Sequence, residues 1–469
     1  MTLAALLVPT MALAQQGKDY VLQAIDTRAE VYRDVAMQIW NFAELGYQEE
    51  KSSSLLQNQL REEGFELTAG VAAMPTAFVA TYGSGRPVIA ILAEFDALPG
   101  LSQAAAPYRQ PAVVDAAGHA CGHHLFGTAS IAAAIAVKDW LASSGQTGTI
   151  RLYGTPAEEG GSGKVYMVRA GLFDDVDVVL NWHPGDRNDA SPRTTLAVKS
   201  AKFRFKGTAA HAASAPHRGR SALDGVEAMN HMVNLLREHV PQETRIHYVI
   251  TKGGLAPNIV PEMAEVYYYV RHPDTEVLSE IWKRVEQTAR GAAMGTETEV
   301  NWEIIGGTHS ILTNVTLSRV AHANLGSLGG IDYLPEESAF AETIRETLGR
   351  VDIPLGSEKE VQPFEESITM ASSDVGDVSW VVPTVGFRTA TWVPGTAAHT
   401  WQAVAAGGMG IGIKGMLLAA KVLATTAVDI LTDPSIAQEA KREWQEKRGP
   451  DFQYESLLGD REPPLDYRH

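Results

Sequence analysis

The chain reads as an α/β domain, a sheet with helices on both faces, interrupted by a smaller inserted α+β domain. Three observations point there. A strand–helix–strand rhythm runs up to Trp182, a strand–helix–strand–strand–helix–strand order occupies 197–308, and helices with one strand resume after Ile311. At 469 residues the chain exceeds what one ordinary core supports, so two domains are the starting expectation.

The elements follow in order. Asp19 to Leu45 has helical spacing, with Val21, Ile25, Val31, Ala36, Ile39 and Trp40 apolar among charges, and a second helix runs from Ser52 through Leu60. Pro87 to Phe95 is a continuous apolar run, as for a strand buried on both faces. Leu125 to Leu141 reads as a buried helix, and Thr149 to Thr155 and Val176 to Trp182 as further strands. The insert takes a strand from Ala197, a helix Ser221 to Val240, strands Ile246 to Thr251 and Ala264 to Arg271, a helix Thr275 to Ala293 and a strand Thr298 to Ile305. Val382 to Phe387 returns to the first domain. Ala403 to Leu431 is one core helix, too broken by Gly407, Gly408, Gly410, Gly412, Lys414 and Lys421 to span a membrane. The boundaries are therefore 17–196 and 309–432 for the first domain and 197–308 for the insert. The charged, Pro-containing tail 433–469 is expected on the surface with no function. Residues 1–16 read as a signal peptide: an apolar run ends in an Ala-x-Ala site, Ala12 to Ala14, although no Lys or Arg precedes it. That predicts a periplasmic or secreted protein; the competing reading is a buried N-terminal helix and a cytoplasmic one.

The formal charge of -17 argues against nucleic-acid partners and against adhesion to anionic lipid. The chemistry collects in four segments. Gly118-His119-Ala120-Cys121-Gly122-His123-His124 holds the only cysteine among three of fourteen histidines, at a predicted helix N-terminus. A thiolate and an imidazole two residues apart suit one or two borderline metal ions. Thr155-Pro156-Ala157-Glu158-Glu159-Gly160-Gly161 puts two carboxylates at the carboxyl end of a strand, one for a metal and one for protons. His183 ends another strand, and Pro394 to Thr400 delivers His399 in a Gly/Pro loop. Each alone also fits a loop or core residue; together they supply S, N and O donors at element ends.

These segments, with Glu94-Phe95-Asp96-Ala97-Leu98-Pro99-Gly100-Leu101 and His211-Ala212-Ala213, resemble the M20 metallopeptidases, and within them the amidohydrolase branch (subfamily D). Glu94-Phe95-Asp96, Gly163-Lys164 and Ser372 to Val378 are most similar to the aminobenzoyl-glutamate hydrolase type. The likeness spans about 31–429. It implies a mixed-sheet catalytic domain with an inserted dimerisation (lid) domain, and two divalent metal ions, zinc or manganese. Cys121, His123, Glu159, His183 and His399 would be the ligands, Glu158 the general base, and Asp96 the group that orients a ligand imidazole, His123. The auxin-conjugate hydrolases of this branch have Asp where His124 stands, so His124 is read as structural. By the same resemblance His211 reaches a partner subunit's site, and Asn258 and Arg271 are candidates for the substrate carboxylate; the plain alternatives are a loop histidine and a surface ion pair.

The resulting expectation is a metal-dependent amidohydrolase acting on an N-acyl amino acid, aminobenzoyl-glutamate-like. It would be a homodimer, or pair with a homologous subunit. A broader aminoacylase or dipeptidase, and a non-catalytic binding protein of this fold, are the alternatives. A serine hydrolase is disfavoured, since the chain has no Gly-x-Ser-x-Gly elbow.

Overall fold

The computed structural model describes residues 4–468, with side chains from residue 12 onward. The first domain opens with α1 (Ala4–Thr27), α2 (Ala29–Phe42), α3 (Glu50–Glu62), β1 (Glu66–Ala69), β2 (Phe78–Ser84), β3 (Val88–Ala93), α4 (His123–Ser144), β4 (Gly148–Gly154), α5 (Gly163–Arg169), β5 (Val178–Gly185) and β6 (Arg193–Thr194). The insert follows as β7 (Ala197–Lys206), α6 (Ala222–Leu236), β8 (Arg245–Lys252), β9 (Met263–His272), α7 (Thr275–Gly295) and β10 (Glu299–Thr308). The first domain resumes with α8 (Val315–Leu328), α9 (Pro335–Glu346), β11 (Ser367–Ile368), α10 (Val375–Val381), β12 (Thr384–Ala390), α11 (Trp401–Gly407), α12 (Gly410–Thr432) and α13 (Ser435–Arg448).

The main sheet has the order β1-β2-β4-β3-β5-β12. β4, β3, β5 and β12 are parallel neighbours, and β1 and β2 add an antiparallel edge. The sheet is therefore mixed. Every residue of β3 is buried, which is why that segment carries no polar alternation. Helix α4 is apolar on all sides and lies between the sheet and α1, α2 and α12. Helices α4 and α12 are long and apolar enough to cross a membrane by length and composition, and both are mostly buried within this fold. The insert is an antiparallel sheet, β10-β7-β9-β8, with α6 and α7 packed on one face around Phe203, Phe205, Tyr268 and Trp282.

Two local readings of the sequence change, and the tail gains a path. The stretch from Asp19 to Leu45 is two helices: the chain turns at Arg28, whose guanidinium lies 3.0 Å from Asp139 on α4, and Val31 faces solvent. The segment Ala403 to Leu431 breaks into α11 and α12 where Gly408 lies against Trp40; a Cβ there would fall 2.9 Å from the indole. The tail lies largely at the surface, as expected, along a defined path. After α13 it touches both domains, Tyr454 donating to Asp377 at 2.7 Å and Leu457 packing on Gly307 of β10, to end beside the Glu158-Glu159 loop. Of the apolar N-terminal run, residues 1–3 lie outside the described residues; Gly17, Val21 and Ile25 of α1 are buried, and Lys18 pairs with Asp429 at 2.7 Å.

Candidate metal centre

The carboxyl ends of the parallel strands converge on one cleft, where an open α/β sheet places its ligands. β3 leads into Glu94 and Asp96, β4 into Glu158 and Glu159, and β5 carries His183. Cys121 and His123 stand at the start of α4. Gly122 between them has φ +75°, and a Cβ there would fall 2.8 Å from Pro184, so the turn needs glycine twice over. His399 arrives from the loop before α11; its backbone N–H donates to the Ala120 carbonyl at 3.0 Å, which ties the two loops together.

Cys121 Sγ lies 3.5 Å from His183 Nε2. His123 Nδ1 lies 2.8 Å from Asp96 Oδ1, and Asp96 Oδ2 accepts the Glu159 N–H at 2.9 Å. One buried carboxylate thus fixes both an imidazole and the carboxylate-bearing loop. Glu94 Oε2 approaches His123 Nε2 to 3.0 Å, and Glu159 Oε1 approaches His399 Nε2 to 3.2 Å. Yet Glu94 Oε2, His123 Nε2 and Glu159 Oε1 are buried without a hydrogen-bond partner. Their free positions fall into three overlapping sets, Cys121/His123/His183, Cys121/Glu159/His399 and Glu94/His123/Glu158, with ligand atoms within 4.8 Å of one another in each. Orphaned buried donors of this chemistry fit borderline divalent cations, and Cys121 is common to two sets.

Burial, then the carboxylates of Glu94, Glu159 and Asp374, hold Glu158 well above the usual carboxyl range, against the pull of Lys164. Burial likewise pushes the Cys121 thiol up and His183 down. Lys164 is fully buried between Glu94 at 2.6 Å and Asp374 at 2.8 Å. The loop bearing Glu158 and Glu159 is held rigidly. Ala157 and Ser162 adopt left-handed backbone, Ala157 N–H donates to Glu49 at 2.8 Å, and Tyr47 donates to the Gly161 carbonyl at 2.7 Å. Tyr467 from the tail donates to the Glu159 carbonyl at 3.0 Å, and Arg468 donates to the same oxygen.

Beside these groups opens a cavity of about 390 Å³ that takes in Cys121, Glu158, His183, Arg388 and His399. The other sequence candidates lie elsewhere. His211 is exposed on the insert, its Nδ1 accepting the Ala213 and Ser214 N–H groups, and the Asn258 carbonyl accepts from Ala212 beside it. Arg271 lies over Tyr269 on β9. None of the three lines this cavity within the one chain. His124 turns away from the donors: it is buried, 3.1 Å from the Gly407 carbonyl and against His119. Burial pushes the pKa of His119 down to about 4, and its Nε2 meets the Ile39 carbonyl. Sequence reasoning gave no role to Glu94, Lys164, Asp374, Asn181 or Arg388. Glu94, Lys164 and Asp374 were singled out only as parts of the motifs that carry the resemblance, with no role attached.

Residues 195–297 match the peptidase dimerisation domain of the M20 family. The chain is 43% identical to a subunit of the p-aminobenzoyl-glutamate hydrolase of Escherichia coli (strain K12), over 91% of its own length and 94% of that protein. It is 30% identical to the Xaa-Arg dipeptidase of Mus musculus, covering 93% of each. A solved dinuclear metal-binding peptidase of the M20 family from Bacillus subtilis shares the fold at 19% identity, with a TM-score of 0.60 over 87% of this chain and 99% of that one.

Proposed function

This chain belongs to the M20 family of peptidases and amidohydrolases, and on that premise we propose that it hydrolyses the amide bond of N-acyl amino acids, an aromatic acyl glutamate being the first candidate. The carrying observation is the convergence of Cys121, His123, His183, Glu159 and His399 beside Glu158, whose carboxyl faces the same cavity. Two divalent cations, zinc or manganese, suit these donors. Bound there, they would lower the pKa of water to about 7 and polarise the amide carbonyl.

The chain's own residues do the rest. Asp96 holds His123 in the tautomer that leaves Nε2 free. Glu158 faces the cavity, and among the described residues its side chain makes neither a salt bridge nor a hydrogen bond. It takes the proton of the attacking water and returns it to the departing nitrogen. His211 and Asn258, exposed on the insert, would reach the cleft of a partner subunit, and the dimerisation domain supports a homodimer or a pairing with a homologous chain. Export is supported by the apolar run at residues 2–14 and the small residues Ala12 and Ala14 that close it. A screen of N-acyl amino acids against metal-reconstituted protein, with Glu158→Gln as the blank, tests the reading. Cleavage by wild type and a loss of about 10²–10⁴-fold in the variant are expected; equal turnover removes Glu158 as base, and no cleavage removes the reading.

A further inference from the structure

Resting on the amidohydrolase reading, and deepening it, we propose that Arg388, with Asn181 beside it, binds the α-carboxylate of the amino-acid half of the substrate. β5 and β12 run parallel with His183 opposite Arg388 and Asn181 opposite Gly386. Side chains alternate along a strand, so Asn181 and His183 share one face of β5, and Gly386 and Arg388 share the same face of β12. That face is the cavity wall, and all four residues line it. The other face is taken by Trp182, which donates to the Phe126 carbonyl of α4. Arg388 therefore rises into the cavity next to a candidate metal ligand, and the glycine two residues before it leaves room over the Asn181 amide, 3.4 Å from where a Cβ would sit.

Its charge is unspent. Among the described residues the Arg388 guanidinium makes no hydrogen bond or ion pair, whereas Arg193, also on the cavity wall, pairs with Asp189. The nearby carboxylates are engaged elsewhere. Asp189 accepts from the Ser191 N–H and from Arg193, and Asp186 accepts the Gly395 N–H at 3.1 Å with Arg187 beside it. The Asn181 amide, on the same wall, donates no hydrogen bond among the described residues, which leaves its N–H groups for an anion. Arg388 is half-buried, Asp186 and Asp189 act on it without pairing, and a planar carboxylate is the anion its fork fits. Every N-acyl amino acid carries such a group on the carbon attached to the scissile nitrogen. Arg388 also borders a second cavity beyond His183, lined by Asp186, Arg350, Asp352 and Trp392, which gives the amino-acid side chain somewhere to go.

The test compares metal-loaded wild type with Arg388→Gln and Arg388→Lys on aminobenzoyl-glutamate and on the same compound with its α-carboxylate converted to carboxamide. The ratio of kcat/KM for acid over amide should fall by about 30-fold or more in the Gln variant, chiefly through KM, with part of it kept by Lys. A ratio is independent of how much of a preparation folds. An unchanged ratio overturns the assignment, and so does an unchanged ratio with lost metal, which would make Arg388 a partner of the Cys121 thiolate instead. Should wild type cleave neither compound, the amidohydrolase reading fails by itself. Calorimetric titration with the same acid and amide then still decides Arg388, and equal affinities for the two in wild type overturn the proposal.

Discussion

At the scale of the residue, the site is a set of unsatisfied groups held by satisfied ones. Lys164 shows the second kind. Removing its charge by Lys164→Met leaves Glu94 and Asp374 buried without a cation between them. A loss of about 3–5 kcal/mol in unfolding free energy is expected from denaturant titration; a change below about 1 kcal/mol would mean that the two carboxyls are already neutral in the native protein. Cys121→Ser replaces a donor shared by two ligand sets with a poorer one, and metal retention on dialysis should drop. Undiminished retention would take Cys121 out of the site. The ligand candidates were legible in the sequence because they sit in short motifs at element ends. Arg388 was not, since a lone cation in a strand reads as a surface residue until register shows what surrounds it, and Lys164 stood out only as part of a motif, its role visible once burial between Glu94 and Asp374 is seen.

At the scale of the element, loops do the positioning. Gly122→Ala would force a left-handed turn on alanine and drive its methyl into Pro184. Destabilisation of more than about 1 kcal/mol is expected in thermal melts, with weakened metal binding; a variant that binds metal like wild type would contradict the fixed-turn reading of the Cys121–His123 loop. The tail works in the same way. Tyr467→Phe removes a hydrogen bond to the Glu159 carbonyl, worth about 1 kcal/mol. Because that carbonyl belongs to the loop carrying Glu158, the proposed base, kcat should fall more than KM rises, and equal kcat would reduce the contact to packing. The apolar strands and the insert's strand–helix order were legible from periodicity alone. The breaks at Arg28 and Gly408 and the path of the tail were not, since each depends on a contact with a residue far along the chain: Asp139, Trp40 and Glu159.

At the scale of the whole molecule, one chain builds a deep cleft, while His211 and Asn258 sit exposed on the insert, outside it. If partner subunits complete each other's sites, His211→Ala should keep its metal and lose activity, and mixing it with Glu158→Gln should restore part of that activity. No recovery on mixing, in a preparation shown to exchange subunits, would confine His211 to its own loop. The central claim is that donors scattered from Cys121 to His399 hold two cations without which the amide is not cut. Metal content per chain, measured by emission spectrometry alongside hydrolysis of aminobenzoyl-glutamate during stepwise chelation, tests it most directly. Two divalent ions per chain, with hydrolysis falling as they leave and returning on re-addition, is the expected result; full hydrolysis by metal-free protein would contradict it.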